Sequence, residues 1–188
     1  MCILKSVALQ FTSSYVQDSN SLFRYYKQLA DRAMAQVSDE QLTTVIDAES
    51  NSIAIIVRHL AGNMISRWTD FLTSDGEKPD RDRDAEFRDP RATRAELTAL
   101  WEQGWRCVFE AMDRLSDADL TREVRIRGEA HSVMQAINRQ LAHYAYHCGQ
   151  IVFLAKHLRS ADWKTLTIPR GQSDAFNRRV NAGEASQR

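Results

Sequence analysis

Apolar residues recur at three- and four-residue spacings over four long stretches of the chain, the period of amphipathic helices. The first stretch runs from residue 4 to about 36, through Leu4, Val7, Leu9, Phe11, Tyr15, Phe23, Tyr26 and Met34, with no Gly or Pro to interrupt it. Polar clusters at 38–40 and 47–51 bracket a short connection. A second helix is predicted from about Ser52 to Leu72, with Ile53, Val57, Leu60, Met64, Trp68 and Phe71 on one stripe and Ser50 or Asn51 as its cap. A third begins at Thr93, where TRAE has the form of a capping box, and runs to Leu115. Its Trp101 and Trp105, one turn apart, read as core. TREVRIR at 121–127 alternates polar and apolar residues before Gly128, as a short strand or half of a hairpin would. The fourth helix is predicted from about Ser132 to Leu158. Residues 162–173 then read as an irregular tail, and the final dozen as unanchored.

Four such helices can bury their stripes only against one another, so the expected fold is all-α, a four-helix bundle. Seven Gly and three Pro in 188 residues leave few turns for a many-stranded sheet and support the same class. The expected organisation is a single domain over residues 1–178 and a flexible tail over 179–188. Between Asp75 and Glu96 lie eight acidic and six basic residues, interleaved with Pro79 and Pro90. This stretch is long enough for a crossover between helices, and its mixed signs read as solvated surface.

Composition mostly excludes. Lys and Arg number 25 against 25 Asp and Glu, so no basic excess is available for a nucleic-acid backbone. No run of eighteen apolar residues occurs and the N-terminus lacks a signal-peptide core, so neither a nucleic-acid nor a membrane partner is expected, and the expected location is cytoplasmic. The three cysteines, at positions 2, 107 and 148, have no CxxC spacing; Cys107 and Cys148 read as buried free thiols.

The candidate chemistry lies in the histidines. His143 and His147 stand one helical turn apart, their α-carbons roughly 6 Å from each other, a spacing that lets two neutral imidazoles grip one metal ion. Histidine pairs on helices also arise as ordinary surface residues. Taking Ile137 as the centre of the fourth helix's stripe, His143 falls roughly 120° and His147 roughly 80° to one side. With Ile53 as reference on the second helix, His59 falls roughly 120° and Asn63 roughly 80° to the same rotational side. All three imidazoles therefore sit on the flank of a buried stripe, which is consistent with one partly enclosed site. His157 lies some 15 Å further along the fourth helix, near its C-terminus, and His131 precedes that helix; neither is expected to be a ligand.

The segments NSIAIIVRHLAGN at 51–63, HYAYHCGQI at 143–151 and IPRGQS at 168–173 together resemble the DinB/YfiT-like superfamily of metal-binding four-helix bundles, and more narrowly a branch of uncharacterised bacterial proteins. The resemblance covers about residues 5–178. It implies that His59, His143 and His147 hold a divalent metal, zinc or nickel, and that the protein is a homodimer. Characterised members of that superfamily transfer low-molecular-weight thiols or use a thiol cofactor.

Three histidines leave a fourth coordination position open, the pattern of catalytic rather than structural zinc. A metal there would lower the pKa of a thiol or water. The HExxH spacing of metalloproteases is absent, which counts against peptide hydrolysis. Helix spacing offers Asn63, Arg139 and Gln150 as residues that could orient a ligand or meet a small-molecule substrate, although plain surface or interhelical hydrogen bonding would explain each equally well. Arg67 and Arg170 are further candidates for a substrate carboxylate, with Arg67 alternatively pairing with an acid of the first helix. The expected function is a metal-dependent transferase that uses a thiol cosubstrate. The alternatives are a noncatalytic metal or stress-ligand binding protein, or a metal-dependent hydrolase.

Overall fold

The structure is a computed structural model that describes residues 13–88 and 92–186. Four long helices form the bundle: α1 (Tyr15–Met34), α3 (Ile53–Trp68), α5 (Arg94–Met112) and α6 (Val133–Arg159). Short helices α2 (Asp39–Thr43) and α4 (Arg83–Glu86) lie in the first two connections, the hairpin β1 (Glu123–Ile126) and β2 (Glu129–Ser132) in the third, and α7 (Ser173–Asn181) follows the bundle. Among the described residues no helix is long and apolar enough to cross a membrane.

Local chemistry sets the boundaries. Ser14 has extended backbone and its hydroxyl accepts from the Gln17 amide, so the first helix starts at Tyr15 rather than continuing through this position from residue 4. The part of that expectation over residues 4–12 lies outside the described residues. Ser52, not Ser50 or Asn51, caps α3 by accepting from the Ile55 amide. This helix stops at Trp68 instead of Leu72, since Thr69 is extended and Asp70 is left-handed at φ 49°. Full capping boxes start α2 (Ser38 with Gln41), α5 (Thr93 with Glu96) and α6 (Ser132 with Gln135). The hairpin closes on Arg127 and Gly128, both at positive φ, in a two-residue turn that the paired register Ile126↔Glu129 requires. Residues 173–181, which begin at the end of the stretch read as an irregular tail and run into the final dozen read as unanchored, form a helix with no buried residue.

The principal helix contacts pair α3 with α5, α1 with α6, α3 with α6 and α1 with α5. Around the bundle the order is therefore α1, α6, α3, α5, with α1 diagonal to α3 and α5 diagonal to α6. Diagonal succession needs long connections, and the 20-residue-scale segments that carry α2 and the hairpin supply them. At the centre Phe23, Trp68, Trp101, Trp105 and Tyr144 are almost wholly buried. Trp68 donates its indole N–H to the Tyr144 hydroxyl at 2.9 Å, and that hydroxyl donates to Asn63 Oδ1 at 3.1 Å. Buried Tyr and Trp thus keep their polar ends satisfied, and the chain of bonds leads outward to the histidine side of the bundle. A Cβ on Gly104 would stand 3.0 Å from the Ala61 α-carbon, so this glycine is what permits the close approach of α5 to α3.

Candidate functional site

His59 on α3 and His143 and His147 on α6 converge because α3 and α6 pack side by side with their polar flanks facing each other. One nitrogen from each lies within 4.8 Å of the others, and the Nε2 atoms of His59 and His143 are 3.2 Å apart. His59 is buried; the other two are half-buried.

The outer nitrogens decide which lone pairs face inward. His59 Nδ1 stands 2.9 Å from Glu86 Oε2, and since a carboxylate only accepts, Nδ1 carries the proton and Nε2 presents its lone pair to the centre. His147 Nδ1 donates in the same way to Gln150 Oε1 at 2.7 Å, and the Gln150 amide donates on to the Tyr146 hydroxyl at 3.0 Å. Two of the three imidazoles are thereby held in the tautomer that a metal ligand needs. Two nitrogens bound tetrahedrally to one zinc ion at about 2.0–2.1 Å would be separated by about 3.3 Å, close to the spacing of the first pair. The donor set and its outer hydrogen bonds fit a divalent ion of the zinc type.

Glu86 comes from α4, inside the charged run. That run is not merely solvated surface: Glu86 is buried, and the Arg81 side chain is only 5% exposed. Arg81 clamps the Glu86 carboxylate through Nε at 2.8 Å and a terminal nitrogen at 2.9 Å. Burial opposes the charge on Glu86, but His59 and Arg81 together outweigh it and hold the carboxyl below its ordinary range. A Cβ on Gly62 would fall 2.2 Å from Glu86 Oε1, so the space for this carboxylate exists only because α3 has a glycine there. Phe87, the single aromatic in the run, lies against His59 with ring centroids 4.8 Å apart. An isolated Glu-Phe pair within the polar stretch was the available sign that part of it turns inward. The run is also pinned at its start, where Asp75 accepts from the amides of Arg127 and Gly128 at the hairpin turn and the Gly76 amide donates to the Arg125 carbonyl.

The other candidates divide. Asn63 and Arg139 line the cleft beside His59 and His143, while Gln150 acts on the outer edge of His147. Arg67 is buried on the Gly76 carbonyl and Glu77, so its acidic partner comes from the charged run, which joins the neighbouring helices α3 and α5 and is not a diagonal crossover, rather than from the first helix. Arg170 is exposed in the C-terminal segment. His157 stacks on Phe153, and His131 Nδ1 lies 3.0 Å from the Glu129 carbonyl in β2, so neither joins the cluster. Cys148 is buried and its thiol is pushed up to about 12 by desolvation, which leaves it unreactive; Cys107 is half-buried and also free.

Burial lowers the pKa of His143 from 6.5 to about 3, helped by the neighbouring His147 and His59, and that of His147 to about 4. Unfolded histidines protonate near 6.5, so below that pH the unfolded chain takes up protons that the folded chain refuses. The histidines' contribution to stability is therefore complete above about pH 6.5 and is lost as the pH falls towards their folded values. Urea midpoints of chelator-treated protein should drop between about pH 7 and about pH 5, before most carboxylates titrate, and drop less when His143 and His147 are both replaced by Gln. Equal midpoints for the native chain at both pH values would contradict this.

Comparison with known proteins agrees with this architecture. YfiT from Bacillus subtilis, described as a probable metal-dependent hydrolase with an unusual four-helix bundle topology, superposes with a TM-score of 0.62 over 83% of this chain and 94% of its own, at 19% sequence identity. At that identity the likeness establishes the shared fold. No curated protein matches the sequence. Residues 10–172 match the family described as "Protein of unknown function (DUF1572)", and the chain therefore belongs to the DUF1572 family.

Proposed function

We propose that His59, His143 and His147 hold a divalent metal ion and that the protein is a metal-dependent enzyme acting on small molecules, a transferase with a low-molecular-weight thiol as cosubstrate. The observation that carries this reading is the pair of outer hydrogen bonds, from His59 Nδ1 to Glu86 and from His147 Nδ1 to Gln150, which leave inward lone pairs on two helices aimed at one point. When bound, a divalent ion there would supply Lewis-acid charge that lowers the pKa of an approaching nucleophile.

The protein's own groups then position and orient. Glu86 holds His59 in place and raises its basicity, and Arg81 holds Glu86. With both carboxylate oxygens engaged, Glu86 is not free to remove a proton from substrate. That favours a nucleophile that ionises easily, and a thiol, with an ordinary pKa near 8.5, does so more readily than water. The second reading is a hydrolase; the likeness to YfiT favours it, because water is then the nucleophile and the same three imidazoles serve.

Metal analysis of protein purified without a histidine tag tests the shared premise. About one equivalent of metal is expected in the native chain, with a loss of more than tenfold in His59→Ala and in His147→Ala. Undiminished stoichiometric metal in both variants would exclude this site. Zinc- or nickel-loaded protein should then consume a thiol and a generic electrophile together, whereas ester hydrolysis without any thiol would select the hydrolase.

A further inference from the structure

We propose that the cleft beside the three histidines binds the oxyanion group of a small substrate, a carboxylate or phosphate, through Arg139 and Arg83. Calling the ligand a substrate rests on the reading of the centre as a metal enzyme; the anion site itself stands on its own observations.

The cleft encloses 230 Å³, below the 300–1,000 Å³ or so usual for drug-sized ligands, so its occupant is small. His59, His143 and Asn63 line it together with five arginines, at positions 67, 81, 83, 127 and 139. Three of the five are matched. Arg67 and Arg127 share Glu77, each at 2.9 Å, and Arg81 is held by Glu86. Arg83 and Arg139 have no carboxylate partner among the described residues. The Arg83 guanidinium lies 5.0 Å from the centre of the Phe87 ring, which in turn packs on His59, so its charge is held near the imidazoles without being neutralised. Arg139 is one helical turn before His143, on the same face of α6.

The second observation is independent of charge. Two buried polar atoms of residues that line the cleft have no hydrogen-bond partner: Gln140 Oε1, in a residue 3% exposed, and Arg67 Nε, in one 5% exposed; both residues also line the small apolar pocket against Val124 and Ile126. Buried polar groups in folded proteins are almost always satisfied, so two orphans on residues in the wall of one cleft mark a place where partners are missing. Guanidinium groups bind carboxylate and phosphate in paired hydrogen bonds, so both anions satisfy the same geometry.

Calorimetric titration of chelator-treated, untagged protein with inorganic phosphate and with malonate tests the site. Saturable binding of one or both is expected in the native chain, weakened at least tenfold in Arg139→Gln and in Arg83→Gln and retained in His147→Ala. Both arginines are exposed, and unchanged thermal unfolding would show that the two variants are folded. Failure of both anions to bind overturns the proposal. So does binding that requires added zinc and ignores both arginine substitutions, which would put the anion on the metal instead. Because zinc retention is measured separately, anion binding without zinc affinity would leave this site standing and remove the metal reading, and the opposite result would do the reverse.

Discussion

Glu86→Ala should destabilise the protein by about 3–5 kcal/mol and weaken metal binding by about 10–100-fold. Removing the carboxylate strands two partners at once. Arg81, with a side chain only 5% exposed, would be left with Glu77 alone, at 3.7 Å and already paired with Arg67 and Arg127, and His59 Nδ1–H would lose its acceptor. Breaking a buried pair from one side is far more costly than the pair's net contribution, because the remaining charge cannot return to water. Glu86→Gln separates the two effects. Its amide oxygen can still accept from His59 and its volume is unchanged, so stability should fall less, while the loss of negative charge should still weaken the metal. Gly62→Ala provides a third route: a methyl group 2.2 Å from Oε1 must push the carboxylate aside, although alanine is itself favoured over glycine within a helix by about 1 kcal/mol. Metal affinity is then expected to fall, with a loss of stability smaller than that of Glu86→Ala because the carboxylate is displaced rather than removed. If all three variants bound metal as the native chain does, Glu86 would have no part in orienting His59.

The second large effect concerns the core. Trp105→Ala should cost about 3–5 kcal/mol, a substantial part of the 5–15 kcal/mol that holds a typical domain folded. Trp105 is fully buried and lies between Phe109, stacked at 5.5 Å, and the edges of Trp101 at 5.5 Å and Tyr144 at 5.6 Å. The cavity would open where α5 meets α3, next to the glycine that brings those helices together. Trp105→Phe should cost much less than the alanine substitution. The indole Nε1 has no hydrogen-bond partner, so phenylalanine removes an unsatisfied donor along with some packing. Denaturant unfolding of the two variants measures the difference. Equal losses would mean that the indole makes a polar contact of its own.

Much of the fold can be read along the chain because its signals are local. The four helices follow from the 3.6-residue period, and the start of α5 from Thr93 and Glu96 three residues apart. The alternation at 121–127 ahead of Gly128 anticipates β1 and its turn. Each of these signals acts within a turn or two of backbone. Ser14 and Ser52 show the margin of error. At the start of α3, Ser50 and Asn51 offered caps as good as Ser52, and at the start of α1 periodicity alone ran through Ser14, where the observed hydroxyl cap begins the helix.

The histidine cluster was legible to a similar degree. His143 and His147 share a face by helical geometry alone, and His59 lies on the matching flank of its own helix. Sequence could place all three at the edges of buried stripes, but it could not determine that α3 and α6 would be neighbours. That follows from a ring order in which α1 and α3, and α5 and α6, sit across the diagonal while α3 and α5 are neighbours.

What tertiary structure alone decided is the fate of the charged run. In sequence its mixed signs cancel and read as a solvated face. In the fold, Asp75 fastens it to the hairpin turn, Gly62 opens a space on α3, and Arg81 carries Glu86 into that space against His59. Helical period and capping are short-range effects, so the chain by itself determined which residues would form helices and which faces would be buried. Whether a charge stays in water or enters the interior depends also on partners distant along the chain, 27 positions for His59 and Glu86, and only the packed bundle brings those partners within reach.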